Sequence, residues 1–126
     1  MKCYLGGPMR GIEEFNFPAF LKAARWLREQ GHIVFNPAER DIAVYGDTFS
    51  EGNLTGDEIE ATKKFGFSLR EALAADMEWI CKNADAIVLL PGWEASAGAR
   101  TELALADTLS LDVWYMERSL SAMRAR

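Results

Sequence analysis

The sequence predicts a single three-layer α/β domain in which a parallel sheet carries helices on both faces. Short apolar runs of strand length alternate along the chain with longer segments whose apolar residues recur at helical spacing. The chain has 126 residues, of which 49% are hydrophobic, so it can bury one core but has no room for a second domain. Strands separated by helices form a flavodoxin- or Rossmann-like parallel sheet with right-handed crossovers.

The predicted elements follow one another in a regular order. Strands are predicted at residues 3–5, 33–35, 86–90 and 113–116, and helices at 17–30, 69–83 and 97–109. Residues 40–68 show no clean period and contain scattered glycines, so this segment is predicted to be irregular. Long irregular segments in compact domains are often lids, which makes 40–68 a candidate lid insertion.

Composition excludes several classes of function. The net charge of -5 argues against general nucleic-acid binding through a basic surface, although a small anion could still be held locally. With one histidine and no Cys/His cluster, a metal site is not expected. No apolar run approaches the roughly 18 residues of a membrane span. Cys3 and Cys81 are interpreted as buried thiols of a reducing compartment, and the protein is predicted to be cytoplasmic.

The most informative stretch covers residues 84–106. An apolar strand breaks at Pro91-Gly92, crosses a loop of small residues and enters an Ala/Leu-rich helix that carries Glu102 in its early turns. In open α/β sheets, ligands bind in the crevice outside the carboxyl ends of the strands. Glu102 is therefore predicted to lie at the mouth of a ligand site.

Asp76 is a second acid in an unusual position. It shares one helical stripe with Leu69, Leu73 and Ile80, and a charge on an apolar stripe needs a reason. Each acid alone could be a helix-dipole or salt-bridge residue. Together, on helices that flank neighbouring strands, Asp76 and Glu102 could meet in one cleft and divide the roles of acid and nucleophile, as in glycosyl transfer. Spacing alone does not establish that they meet.

The loop after the first strand is a candidate phosphate cradle, because small residues let the backbone approach a ligand closely. Its residues are Gly6, Gly7, Met9, Arg10 and Gly11. Trp93, just after the third strand, either stacks on a nucleobase or plugs the edge of the sheet.

Several segments resemble one known superfamily. Residues 4–11 (YLGGPMRG), 76–80 (DMEWI), 85–88 (DAIV) and 96–98 (SAG) followed by Glu102 resemble the nucleoside 2-deoxyribosyltransferase superfamily. Within it, they are most similar to the 2′-deoxynucleoside 5′-monophosphate N-glycosidases. Residues 16–20 (NFPAF) and 31–39 (GHIVFNPAE) resemble a largely uncharacterised, often phage-borne branch.

The resemblance implies a role for each matching residue. Glu102 matches the nucleophile that attacks the anomeric carbon, and Asp76 matches the acid that assists the leaving base. Tyr4 matches an aromatic hydroxyl near the nucleophile, although a tyrosine at a strand end can equally be packing.

Other matches concern the 5′-phosphate. Arg10, Ser96 and Gly98 match positions that hold it, and Ser121 resembles a serine that reaches the phosphate of a neighbouring subunit. Pro8 departs from the pattern and removes one backbone donor from the cradle. Arg100 is a further departure, and either adds a phosphate ligand or points to solvent.

The expected function is hydrolysis of the N-glycosidic bond of a nucleoside 5′-monophosphate, which releases the free base and a sugar 5-phosphate. The expected active unit is a homodimer that binds a small-molecule nucleotide without a cofactor. Base exchange between deoxynucleosides is an alternative, and a nucleotide-binding module without turnover is another.

Overall fold

The sheet has five strands in a computed structural model that describes residues 1–126. The strands are β1 (Lys2–Gly6), β2 (Ile33–Phe35), β3 (Ala86–Leu89), β4 (Asp112–Met116) and β5 (Met123–Ala125). Across the sheet their order is β2-β1-β3-β4-β5. The first four strands run parallel, and β5 runs antiparallel to β4.

Five helices cover the sheet. They are α1 (Phe17–Glu29), α2 (Pro37–Tyr45), α3 (Glu58–Phe65), α4 (Leu69–Asn83) and α5 (Ala97–Thr108). Successive residues of a strand face opposite sides, so Cys3 and Leu5 pack into one apolar cluster with α1, whereas Tyr4 packs into the other with residues of α4 and α5. Helices therefore lie on both faces, and the predicted three-layer α/β fold is confirmed.

Side-chain caps fix where the helices near the site begin. The Asn36 side chain accepts a hydrogen bond from the amide of Ala38 at the start of α2. Ser68 does the same for Glu71 in α4, and Ser96 for Ala99 in α5. Because Ser96 follows the loop after β3, α5 begins at the carboxyl edge of the sheet.

The prediction that residues 40–68 are irregular is wrong. Part of this segment belongs to α2 and another part forms α3, and each helix buries too few side chains to show a period: α3 buries only Ala61. Phe49, between the two helices, is buried and stacks on Phe15 and Tyr45. The segment is thus packed against the rest of the domain through Phe49.

The C-terminal segment also differs from expectation. The sequence predicts a purely parallel sheet ending at residue 116, but a turn brings the chain back as the antiparallel strand β5. The Arg126 guanidinium forms an ion pair with Asp107 at 2.5 Å, and the Arg126 amide donates to the carbonyl of Val113. These contacts make the C-terminal residues part of the sheet edge.

Three smaller points concern the histidine, the cysteines and the helices. His32 Nδ1 lies 3.1 Å from the terminal amino group of Met1, a structural contact. Cys3 is buried as predicted, but Cys81 is exposed on the outer side of α4, so the prediction of two buried thiols is wrong for it. None of the helices combines the length and apolarity needed to cross a bilayer.

Candidate active site

A cavity of about 840 Å³ opens near the carboxyl ends of β1 and β3. Its lining comes from the loop after β1, from α2 and α4, and from the first turns of α5. Cavities of this size enclose ligands of drug or nucleotide dimensions. Tyr4, Asp76 and Glu102 all line it, so the structure brings the three predicted catalytic residues together.

Tyr4 and Glu102 are joined by a direct hydrogen bond. The Tyr4 hydroxyl donates to Glu102 Oε2, and the two residues are 0% and 5% exposed. The backbone makes room for this pair at Gly6, where a Cβ atom would lie 3.2 Å from Glu102 Oε1 and 3.1 Å from Leu89. Gly6 does not line the cavity. It was predicted to be part of a phosphate cradle, but in the structure it packs beside Glu102.

Asp76 presents an unsatisfied acceptor. The residue is 6% exposed, and its Oδ1 atom has no hydrogen-bond partner in the protein. Buried polar atoms are nearly always hydrogen-bonded, because an unpaired one costs about 1–3 kcal/mol. The Asp76 side chain lines the cavity, so a bound ligand is a candidate partner for this carboxyl group.

Both carboxyl groups hold protons more tightly than usual. Burial raises the pKa of Asp76 to about 7 and the pKa of Glu102 to about 8. The charge of Asp76 raises the pKa of Glu102 further, whereas the hydrogen bond from Tyr4 lowers it. Because the two groups interact, they titrate as a pair that carries a shared proton near neutral pH. Burial also raises the pKa of Tyr4 well above 10, so its hydroxyl stays a donor.

Asp41 is a third carboxylate of the cavity, and no pattern in the sequence singles it out. It lies in α2, is 6% exposed and lines the cavity. Its Oδ1 atom accepts from Arg40 Nη1 at 3.0 Å, and burial raises its pKa to about 6. The burial of Asp41 could not be predicted, because the residue lies at the start of the segment in which apolar residues show no helical period.

Part of the predicted phosphate cradle is available for binding. The amides of Met9 and Arg10 donate no hydrogen bond within the protein and lie in the cavity wall. The amide of Gly11 is not available, because it donates to the carbonyl of Gly56 at 3.0 Å. Gly7 is required for packing, since a Cβ atom there would lie 2.8 Å from Leu90 Cβ.

The first turn of α5 adds donors to the same cavity wall. Ser96, Ala97 and Gly98 line the cavity, and the early amides of a helix have no intrahelical acceptor. The Ser96 hydroxyl oxygen accepts from Ala99, which leaves its proton free to donate. Such an arrangement attracts anions.

Arg10 is held by an acid of α3. Its Nη1 atom lies 3.0 Å from Glu58 Oε2, and the arginine side chain is 52% exposed. The loop that carries Arg10 approaches the segment before α3 closely at Gly56, whose φ is +62° and where a Cβ atom would lie 2.4 Å from the carbonyl oxygen of Ile12. Arg10 thus lines the cavity with its charge partly neutralised.

An unusual backbone turn shapes another part of the lining. Glu14, Phe15 and Asn16 have φ values of 54°, 52° and 61°, all in the left-handed region. Non-glycine residues there are strained, and such strain clusters at ligand sites. Phe15 and Asn16 line the cavity, and Asn16 Nδ2 donates to the carbonyl of Pro8 at 3.0 Å. Only Asn16 is a residue type that tolerates this conformation well, so residue types alone do not predict the turn.

Three further sequence candidates lie outside this cavity. Trp93 stacks on Tyr115, with ring centroids 6.0 Å apart, and lines a second cavity of about 820 Å³, while its predicted contact with a nucleobase stays a prediction. Ser121 is exposed in the turn before β5, and its expected contact with a neighbouring subunit stays a prediction. Arg100 is exposed and donates to the carbonyl of Glu94.

The carboxylates are not arranged to bind a metal. No group of three His, Cys, Asp or Glu side chains is close enough to hold an ion. Buried carboxyl groups that line a cavity, as Asp76 and Glu102 do, suit proton transfer and nucleophilic attack.

Comparison with known proteins gives a family without an assigned activity. No curated protein matches the chain. A family described as a domain of unknown function, DUF4406, matches residues 1–115. The chain belongs to the DUF4406 family.

Proposed function

We propose that this protein hydrolyses the N-glycosidic bond of a nucleoside or deoxynucleoside 5′-monophosphate, with release of the free base and the sugar 5-phosphate. The observation that carries the proposal is the buried Glu102, held by the Tyr4 hydroxyl, beside Asp76 with its unpartnered oxygen. Two carboxyl groups in one cavity, with pKa values raised toward neutrality, supply the nucleophile and the acid that glycosyl cleavage needs.

The reaction proceeds in two steps. In the first, Glu102 attacks the anomeric carbon while the bond to the base breaks, and the base leaves with a proton from Asp76. In the second, water attacks the glycosyl ester, Asp76 takes the proton of that water, and Glu102 departs as a carboxylate. The productive form has Glu102 ionised and Asp76 protonated. In the ligand-free protein the pKa values of about 7 for Asp76 and about 8 for Glu102 favour the opposite arrangement, so a proton moves from Glu102 to Asp76 before the attack. The Tyr4 hydroxyl, which donates to Glu102, stabilises the Glu102 carboxylate once that proton has moved.

The phosphate has a defined place in this proposal. The free amides of Met9 and Arg10, the Arg10 guanidinium and the first turn of α5 would hold it. Ionic and amide contacts to a non-reacting part of the substrate fix the sugar in line with Glu102. The exposed free thiol of Cys81 is consistent with a cytoplasmic protein.

The test is release of free base, followed by chromatography, from a panel of nucleoside 5′-monophosphates and the matching nucleosides. We expect release from monophosphates, and at least a thousandfold loss of rate in Glu102→Gln, since an amide cannot act as the nucleophile. Glu29→Gln, which changes an exposed glutamate at the end of α1, is the matched control and should keep full activity.

The same assay separates the alternatives. Turnover that requires an added acceptor base would indicate deoxyribosyl transfer. Tight binding of monophosphates without any release would indicate a binding module. A Glu102→Gln variant that retains more than a few per cent of the rate would refute Glu102 as the nucleophile.

A further inference from the structure

Asp41 offers an acceptor to the cavity that the proposed reaction does not use. Its Oδ1 atom is held by Arg40, while its Oδ2 atom makes no hydrogen bond in the protein. With Asp76 Oδ1, the cavity wall therefore contains two carboxylate oxygens that lack a protein donor. Asp76 is protonated in the productive form and can donate to a ligand, whereas an ionised Asp41 only accepts, so a ligand that pairs with Asp41 Oδ2 must carry a hydrogen-bond donor.

The helix packing places Asp41 on the side of Asp76 away from Glu102. Helix α4, which carries Asp76, packs against both α2 and α5. The charge of Asp41 raises the pKa of Asp76, because Asp41 ionises at lower pH and its charge is present when Asp76 titrates. Because α4 contacts α2 on one side and α5 on the other, the helices carry the three acids in the order Glu102, Asp76, Asp41.

This order matches the parts of a nucleotide. If Glu102 faces the anomeric carbon and Asp76 faces the nitrogen atoms of the leaving base, the next position is at the far edge of the base. The wall beyond α2 is partly aromatic: Tyr45, one turn after Asp41, contacts Phe49 and Phe67, and both phenylalanines line the cavity. Flat apolar surfaces suit a base ring, and they make a charged acceptor at its edge more selective because competing water is excluded.

We propose that Asp41 recognises the base by accepting a hydrogen bond from it, and that the substrates are nucleotides whose base carries an exocyclic amino group, as cytosine and adenine do. This inference rests on the proposed function. An ionised carboxylate only accepts hydrogen bonds, so it pairs with an amino group and repels a carbonyl oxygen at the same position. Arg40 keeps the carboxylate charged and fixes its orientation.

The experiment compares pairs of nucleotides that differ in this amino group and in the protonation of the ring nitrogen beside it. The pairs are CMP with UMP and AMP with IMP, each in the ribose and the deoxyribose form. Equilibrium binding is measured by titration calorimetry at pH 7.5 with Glu102→Gln, which removes turnover, and base release is measured with the active protein. We expect the amino member of a pair to bind about ten- to a hundredfold more tightly, the value of a hydrogen bond to a charged group.

Asp41→Asn, made in the same background, tests the residue itself. An amide presents a donor as well as an acceptor, so the preference should fall below about threefold or reverse toward the carbonyl member. Asp47→Asn is the matched control, since Asp47 is exposed just beyond α2 and lies outside the cavity. It should leave the preference unchanged.

The outcomes separate the two proposals. Equal binding and release of both members by the otherwise unaltered chain would overturn the role of Asp41 and leave the hydrolase proposal in place. So would an Asp41→Asn protein that keeps the preference, or that loses affinity for all nucleotides equally. Selective binding of amino nucleotides without base release would support the role of Asp41 and overturn the hydrolase proposal. Failure to bind any nucleotide would overturn both.

Discussion

Tyr4 and Glu102 are separated by 98 positions in sequence, yet the tyrosine hydroxyl donates a hydrogen bond to the glutamate inside the protein. Tyr4 reaches this position because it is the residue of β1 that faces α4 and α5, while its neighbours Cys3 and Leu5 face α1. Phe35 stacks on the Tyr4 ring at 5.7 Å and fixes the direction of the hydroxyl. The hydrogen bond therefore follows from strand alternation together with aromatic packing.

Tyr4→Phe should slow turnover and move its pH dependence. The Tyr4 hydrogen bond lowers the pKa of Glu102, so its removal raises that pKa and the nucleophile ionises at higher pH. We expect kcat at pH 7 to fall by about ten- to a hundredfold, and the acidic limb of the pH–rate profile to shift upward. The measurement is a pH–rate profile of base release.

Tyr115→Phe is the matched control for that change, because Tyr115 lies in the second cavity. Its profile should coincide with that of the unaltered protein. A Tyr4→Phe profile that is lower at every pH but unshifted would mean that the hydroxyl acts on the sugar or the fold, and not on the ionisation of Glu102.

The sequence predicted those parts of the fold that depend on long periodic segments. The helices 17–30 and 69–83 were placed within a residue of α1 and α4, because each buries a continuous face. Residues 40–68 gave no such signal, since α2 and α3 depend on caps at Asn36 and Asp57 and on few buried side chains. Strand β5 was missed because its three residues are stabilised by pairing with β4, a contact that no local pattern encodes.

The same difference between periodic and non-periodic segments decides which residues of the site could be predicted. Asp76 and Glu102 could be singled out because each is a charge in an apolar helical stripe, and both do face the cavity. Asp41 is as deeply buried, but α2 has no apolar stripe in which a charged residue would stand out. The left-handed turn at residues 14–16 depends on the packing of Phe15 against Phe17 and Phe49 and has no short-range signature beyond Asn16.

Asp76→Asn should stabilise the protein at high pH. The pKa of Asp76 is raised from 3.8 to about 7 in the folded state, so the folded protein binds more protons than the unfolded chain between these values. The contribution of this group to stability is therefore fully present below pH 4 and is lost as pH rises through about 7. Asparagine does not ionise and avoids this loss.

We expect Asp76→Asn to be about 1–3 kcal/mol more stable than the unaltered protein at pH 8, with a difference that shrinks toward pH 5. Thermal unfolding followed by circular dichroism at a series of pH values measures it. Asp47→Asn, at an exposed position, should show no such trend. Equal stabilisation at pH 5 and pH 8 would show that Asp76 is not protonated in the folded state.

Asp76→Asn should also slow base release most for substrates with poor leaving bases, because Asp76 supplies the proton to the departing base. The comparison is kcat for substrates whose free bases differ in acidity. A variant with altered stability and unchanged kcat for every base would leave Asp76 with a structural role only.

Ser121→Ala tests the expected homodimer without disturbing the sheet. Deleting residues 120–126 would remove β5 and the Arg126–Asp107 ion pair, so a truncated chain would lose stability for reasons unrelated to assembly. Ser121 itself is exposed, and its hydroxyl contacts only the carbonyl of Ser119 at 3.4 Å. We expect an unchanged melting temperature, a dimer in sedimentation equilibrium, and a several-fold rise in KM for monophosphates.

The control is Thr48→Ala, which removes an exposed hydroxyl outside the cavity. If the unaltered protein sediments as a monomer and turns over substrate at a rate independent of its concentration, the shared site is refuted. The phosphate ligands would then all come from one chain.

Glu58→Gln and Arg10→Ala should change phosphate recognition in opposite directions. The Arg10–Glu58 pair is partly exposed, with side-chain exposures of 52% and 28%, and pairs open to solvent contribute about 1 kcal/mol or less, so a substrate phosphate can displace the glutamate. Arg10→Ala should raise KM for monophosphates by about ten- to a hundredfold and leave nucleosides little affected. Glu58→Gln frees the guanidinium and should lower KM for monophosphates by about two- to fivefold.

The salt dependence of KM in these variants shows whether a charge interaction causes the change in phosphate recognition. An exposed charge interaction weakens as ionic strength rises, so the advantage of Glu58→Gln should vanish in about 0.5 M salt. Glu60→Gln is the matched control: it removes another acid of α3, one that lies near Lys64 rather than Arg10, and it should leave KM unchanged. If Glu58→Gln instead raises KM, the glutamate is needed to position Arg10. An equal effect of Arg10→Ala on nucleosides and monophosphates would show that Arg10 supports the loop and does not bind the phosphate.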